Sequence, residues 1–202
     1  LFRVAVLVSG YGTNLQSIID AVKNGYLKVE ISSVISDREC YALKRAEENN
    51  IKTFCLDRKD KDFQQKLLDI LQKNADLIVC AGFLSIIGKK IVEKFKNKII
   101  NVHPALLPSF GGKGMYGEKV HKKVLEYGVK ISGCTVHFVD ENVDCGPIIF
   151  QYAVPVIEDD DVGSLSKRIQ IFEHQLLVEA IRLISLNKVK IEGRKVFIED
   201  IL

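Results

Sequence analysis

The stretch KIINVHPALLPSFGG, Lys98–Gly112, decides how this chain folds. Ile99, Ile100 and Val102 put apolar side chains on both faces of an extended segment, as in a strand buried inside a parallel sheet. Side chains alternate along a strand, so Asn101 and His103 share one face while Ile100 and Val102 share the other. Pro104 then ends regular pairing. The two polar groups therefore sit at the carboxyl end of the strand, the edge at which open α/β sheets bind ligands. An amide and an imidazole converging there suit an oxyanion formed when a nucleophile attacks a carbonyl. Loss of one such donor costs roughly a hundred- to a thousandfold in rate. The residues point to acyl transfer.

Upstream, apolar runs alternate with helical patterns. FRVAVLV (2–8), VEISSVI (29–35), KTFCL (52–56) and DLIVCAG (76–82) read as strands. Between them the spacing predicts helices over Asn14–Asn24, Arg38–Asn49 and Asp62–Lys73, and then a lysine-rich helix, KKIVEKFKNK (89–98), whose buried stripe is Ile91, Val92 and Phe95. Strand and helix in alternation with short connections imply right-handed crossovers and a parallel sheet covered on both faces. After Pro104 the pattern changes. A helix over Gly117–Tyr127 precedes two strands, ISGCTVHFV (131–139) and PIIFQYAVPV (147–156), joined by the acidic turn DENVDCG. A long helix over Gly163–Asn187, with Leu165, Ile169, Phe172, Leu176, Ala180 and Leu183 on its apolar face, leads to a small hairpin, VKIEGRKVFI (189–198). The expected fold class is α/β, a Rossmann-like, mostly parallel sheet extended into a mixed sheet by the C-terminal strands, in one domain over 1–202.

Bulk properties narrow the function classes. A chain of 202 residues with 47% hydrophobic and 27% charged residues is an ordinary soluble globular composition, and no apolar run reaches the roughly 18 residues of a membrane span. Leu1 is not a natural start, but LFRVAVLVSG lacks the features of a signal peptide, so a cytoplasmic location is expected. A net charge of +3 is too slight to suggest nucleic acid. The five cysteines are scattered, with no CxxC pair and no histidine at metal-ligand spacing, and read as reduced thiols without structural zinc.

VSGYGTNLQSII (8–19) places Gly10, Gly12, Thr13 and Asn14 between the first strand and the first helix. Glycines allow close backbone approach, and a helix N-terminus favours an anion such as phosphate. The loop is neither a Walker loop nor a dinucleotide fingerprint, since no Gly-Lys-Ser/Thr occurs and Leu15 replaces the third glycine. A tight turn capped by Thr13 or Asn14 is the competing reading. The acidic turn offers Asp140, Glu141 and Asp144, of which Asp144 is the choice to orient His103 and raise its pKa. His121, His137 and His174 read as structural side chains.

Together these residues resemble the phosphoribosylglycinamide formyltransferase family. The likeness rests on SGYGTNLQ, CAGFLSII, NVHPALLPSFGG, TVHFVDENVDCGPII and RIQIFEHQLL, in the family's order and at nearly its spacing. It implies transfer of a formyl group from 10-formyltetrahydrofolate to the amine of glycinamide ribonucleotide in purine synthesis, without metal. By resemblance Asn101, protonated His103 and Asp144 are catalytic. Gly12, Thr13 and Asn14 hold the substrate phosphate, and Gln170 and Glu173, three apart on one helix face, meet the ribose. Leu84, Ser85, Ile86, Ile87, Asp140, Glu141, Asn101 and Asp144 line the folate pocket. Residues 1–103 then form the phosphate-binding half and 104–202 the folate-binding and C-terminal half. Lys59 and Lys61 are both candidates for the folate tail.

Two departures stand out: Ser85, where members often carry arginine, and Ala105, where serine is frequent. Small molecules are the expected partners, with no nucleic acid or membrane, and a homodimer is compatible with the sequence. The chain stops short of the further domain of methionyl-tRNA formyltransferases. The runner-up is a 10-formyltetrahydrofolate deformylase, a hydrolase; a nucleotide-binding regulatory module would instead predict a broken catalytic set.

Overall fold

The structure is a computed structural model that describes residues 1–199. Its architecture is the expected one, a mostly parallel sheet flanked by helices, with a small antiparallel sheet near the C-terminus. The chain forms two compact units, the first Leu1–Ile100 and the second beginning at Asn101.

The first unit contains β1 (Arg3–Val8), α1 (Thr13–Lys23), β2 (Glu30–Ser36), α2 (Tyr41–Glu48), β3 (Thr53–Cys55), α3 (Phe63–Asn74), β4 (Leu77–Cys80) and α4 (Lys89–Lys94). Its strands run parallel in the order β3-β2-β1-β4, with Leu7 beside both Ile35 and Cys80. Val4 to Val8 and all of β4 are buried, because helices cover both faces of the sheet. Leu15, Ile18 and Ile19 of α1 and Leu67 and Leu71 of α3 supply apolar stripes at helical spacing. The lysine-rich helix buries Ile91, Val92 and, just past its end, Phe95, leaving its lysines in water. α2 starts three residues later than the sequence suggests. Ser36 Oγ bonds to the Arg38 carbonyl and lies 3.2 Å from Cys40 Sγ, which folds the segment into a turn before the helix can begin.

β5 (Ile99–His103) carries the chain into the second unit, and the amide of Ile78 donates to the Lys98 carbonyl at its start. Then come α5 (Glu118–Tyr127), β6 (Ile131–Phe138), β7 (Ile148–Pro155), α6 (Val162–Ser185), β8 (Val189–Glu192) and β9 (Lys195–Ile198). The order within this unit is β5-β6-β7, with β6 and β7 antiparallel and Thr135 opposite Gln151. Those two side chains fasten the loop after Pro104: Thr135 Oγ1 donates to the Ala105 carbonyl and accepts from the Leu107 amide, and Gln151 donates to the Leu107 carbonyl. Ala105, Val120, Val124, Cys134, Val154, Leu165 and Ile169 close the core.

The buried stripe of α6 differs from the predicted one. It runs through Leu165, Ile169, Glu173 and Leu177, while Phe172 moves to the shoulder, where it stacks on Tyr152 with ring centroids 3.7 Å apart. The helix begins with a capping box between Asp161 and Ser164. Ahead of it, Asp160 is sealed from solvent and accepts two bonds from Arg168, at 2.7 and 2.8 Å, plus bonds from the Ile157 amide and the Ser164 hydroxyl. Arg168 also donates to the Pro155 carbonyl, so one guanidinium ties the end of β7 to the first turns of α6. These bonds, Arg168 foremost, hold the Asp160 carboxyl far below the ordinary range against the opposing effect of burial.

A depressed folded-state pKa stabilises the fold at pH values above the unfolded carboxylate's and is lost as pH falls through the folded value. Asp160→Asn is expected to lower the melting temperature by about 3–6 °C at neutral pH. The gap from the parent should narrow in acid; thermal melts across pH check this.

Candidate active site

Asn101 and His103 leave β5 on the face the alternation assigns them, and Asp144 arrives from the β6–β7 turn. His103 is almost wholly buried, at 3% exposure. Its Nε2 lies 2.8 Å from the carbonyl of Phe110, which can only accept, so Nε2 carries the proton. Its Nδ1 faces Asp144 Oδ2 at 3.6 Å. The same carboxylate oxygen accepts from the Gly112 amide at 2.9 Å.

The backbone is strained on both sides of this contact. Phe110 has φ 53° and Asp144 has φ 56°, left-handed conformations that are costly for side-chain-bearing residues. Between Phe110 and Gly112, a Cβ on Gly111 would lie 2.5 Å from a Leu107 methyl and 3.4 Å from Asp144 Cβ, which explains why the segment reads Phe-Gly-Gly.

His137, read from the sequence as a structural side chain, stands beside Asn101 and Asp144. Its Nδ1 lies 2.8 Å from the Phe138 carbonyl, which can only accept, so Nδ1 carries a proton. Its Nε2 is 3.2 Å from Asn101 Nδ2 and 3.7 Å from Asp144 Oδ1. His137 thereby sets the Asn101 amide group with one N–H spent and the oxygen turned elsewhere. The signal was present in TVHF: Thr135 and His137 form a period-two polar pair on β6, as Asn101 and His103 do on β5.

The expected direction of the His103 shift is corrected. Burial depresses its pKa and the nearby His137 adds to this, outweighing Asp144 and the Phe110 carbonyl, which both favour protonation. The resting imidazole is neutral at pH 7. Asp144 shows the opposite balance. Burial favours its neutral form, but the charge that His137 and His103 bring when protonated, with the Gly112 amide, outweighs this and holds its pKa below the ordinary carboxylate value.

The other expected residues fall into three groups. Asp140 caps its own turn, accepting from the Asn142 amide at 2.8 Å, and Glu141 is exposed beside it. Gln170 is half-buried on α6, whereas Glu173 is buried within the helix's core stripe. Its charge reinforces burial in pushing the Cys134 thiol up to about 12.

In the first unit, Gly12 with φ 80° is the N-cap of α1 and offers no side chain to the helix amides. Asn14 Oδ1 is buried without a hydrogen-bond partner. A Cβ on Gly12 would sit 2.6 Å from that of Ala42, and Arg45 braces the loop by donating to the Tyr11 carbonyl and to Gln16. Leu84–Ile87 follow β4 with Leu84 and Ile86 exposed. The Leu84 amide donates to Ser9 Oγ, Ser85 donates to buried Asp37, and Gln64 donates to the Ile86 carbonyl. This loop is an apolar ledge with a fixed backbone, and its Ser85 hydroxyl is already engaged. Lys59 and Lys61 are both exposed ahead of α3. Among the described residues no group of three or more His, Cys, Asp or Glu could hold a metal ion, and no helix is long and apolar enough to cross a membrane.

The fold therefore brings an amide, two imidazoles and a carboxylate together near the end of one strand. Residues 2–181 match the formyl transferase family, and the chain belongs to it. The chain is 36% identical over 197 residues to the phosphoribosylglycinamide formyltransferase of Mycobacterium tuberculosis (strain CDC 1551 / Oshkosh), covering 95% of this chain and 89% of that protein. It is 41% identical over 195 residues to the trifunctional purine biosynthetic protein adenosine-3 of Gallus gallus, covering 94% of this chain but only 19% of that much longer protein. Glycinamide ribonucleotide transformylase 1 from Symbiobacterium toebii superposes with a TM-score of 0.92 at 42% identity, covering 99% of this chain and 95% of that one.

Burial also lowers His121, to about 4, and depresses His174. Each is neutral when folded, so its stabilisation is complete above the unfolded value and is lost as pH falls towards the folded one. The melting temperature is expected to drop between about pH 6.5 and pH 4, and His121→Leu should retain more of its neutral-pH value than the parent. Melts of both proteins across that window test this.

Proposed function

We propose that this chain transfers the formyl group of 10-formyltetrahydrofolate to the amine of 5'-phosphoribosylglycinamide, giving formylglycinamide ribonucleotide and tetrahydrofolate. The observation that carries the reading is the cluster of Asn101, His103, His137 and Asp144, supported by the relatives named above. The folate is a cosubstrate. Within the first unit, Leu84–Ile87 form an apolar ledge suited to a flat, amide-bearing ring; within the second, Asp140 and Glu141 offer a polar turn. Gly12, Thr13 and Asn14 fit the acceptor's phosphate, since a helix that opens on a glycine N-cap allows an anion close approach to its first amides. Gln170 and Glu173 are assigned to its ribose.

The acceptor nitrogen attacks the formyl carbon, and the carbonyl electron pair moves onto oxygen. Asn101, with one N–H directed to His137, offers its second to that oxyanion. The attacking nitrogen becomes cationic and must lose a proton before the carbon–nitrogen bond to the folate breaks. Neutral His103 can take that proton at Nδ1, the nitrogen that faces Asp144, and the carboxylate stabilises the imidazolium that results. The proton leaves with the folate nitrogen as the oxyanion collapses. This replaces the protonated His103 of the resemblance with an imidazole that gains its charge during the reaction. A cytoplasmic location and a homodimer accompany this reading.

The test follows tetrahydrofolate formation from 10-formyltetrahydrofolate with and without glycinamide ribonucleotide. Turnover that requires the amine is expected. Equal release of formate without it would make the chain a hydrolase. His103→Ala and Asp144→Asn should each cut turnover by roughly a hundredfold or more while folding normally, and near-parental rates would remove the assigned roles.

A further inference from the structure

The turn that delivers Asp144 is held from three directions. At its exit, a Cβ on Gly146 would lie 1.8 Å from the Phe138 carbonyl, so turn and strand end are pressed together with no room for a side chain. At its apex, the Cys145 amide donates to the Asn142 carbonyl at 3.3 Å, and Asp144 keeps its left-handed φ of 56°. The third restraint comes from the β8–β9 hairpin. Arg194 NH2 donates to the Cys145 carbonyl at 2.7 Å, across 49 positions of sequence.

Cys145 follows Asp144 directly, so fixing its carbonyl restrains the main chain one residue from the Cα that carries the carboxylate. Both Asp144 oxygens stand just outside hydrogen-bond length from the imidazoles, at 3.6 Å from His103 and 3.7 Å from His137. A small rotation of the turn therefore decides whether those contacts close or open. The tip that carries Arg194 is itself well fixed. Glu192 pairs with Lys195 across a two-residue turn, with Gly193 at φ 61° in its first position, the pattern that matches strand twist in hairpins. At the hairpin's base the Glu199 amide donates to the Lys188 carbonyl, and the Lys188 amide to the Leu183 carbonyl of α6.

We propose that Arg194 is a positioning residue for the reaction, holding the Cys145 carbonyl so that the Asp144 carboxylate faces His103 and His137. The proposal rests on the role assigned to Asp144 above. Arg194 touches neither imidazole and is exposed, so its loss leaves the core intact.

The experiment compares the parent, Arg194→Ala and Arg194→Lys by steady-state kinetics, thermal melts and NMR titration of the histidine rings. Arg194→Ala is expected to lower kcat roughly tenfold, with KM for both substrates within about twofold. It should displace the His103 titration midpoint by about half a pH unit, because the Asp144 charge has moved. Arg194→Lys, which keeps a cationic donor, should recover most of both changes. An alanine variant with parental kcat and parental histidine titration overturns the proposal. So does a loss of activity that merely tracks a lower melting temperature while the histidines titrate as before. If the parent shows no amine-dependent turnover, the formyl-transfer reading fails, but the titration still decides whether Arg194 positions Asp144.

Discussion

Two imidazoles and a carboxylate are withdrawn from water within a few ångströms of one another, and the second unit is built around keeping that arrangement tolerable. A buried charge without partners costs several kcal/mol, so each group must be hydrogen-bonded or uncharged. Here the carboxylate is held by the Gly112 amide, with two imidazoles beside it that can each gain a proton, and His103 gives up its own charge because burial dominates. Backbone carbonyls fix the tautomer of each ring, those of Phe110 for His103 and Phe138 for His137. The left-handed residues Phe110 and Asp144 follow from the same need, since they turn a carbonyl and a carboxylate towards groups that an extended chain would miss.

Much of this was legible in the sequence. Alternation alone placed Asn101 and His103 together at the end of a parallel strand, and turn composition offered Asp144 among three acids. The remainder depends on quantities a linear pattern does not carry. The net shift of His103 is a contest between burial and a neighbouring charge, and burial is invisible until the Phe110–Gly112 segment has closed over the ring. Glu173 lies at the helical spacing of core residues, and its burial depends on packing that a polar residue type does not announce. His137 was within reach of the sequence, had Thr135 and His137 been weighed as a pair.

The first unit solves a different problem with the same economy of parts. Its loop after β1 opens α1 on a glycine N-cap and relies on α2 for rigidity, through the Ala42 contact against Gly12 and the Arg45 bonds to Tyr11 and Gln16. Tyr11 and Tyr41 stack at 4.7 Å beneath the same guanidinium. A preorganised loop loses little entropy when an anion arrives.

The tripeptide Phe110-Gly111-Gly112 joins the two halves of the His103–Asp144 pair, since its first carbonyl grips the imidazole and its last amide grips the carboxylate. The spacing between those two atoms is a fixed length of main chain. Inserting or deleting one residue there would detach one partner from the other, whereas the glycine-rich run that follows, from Lys113 to Gly117, carries no such tether among the bonds to the pair. Natural variation in loop length should therefore accumulate after Gly112 and be excluded before it.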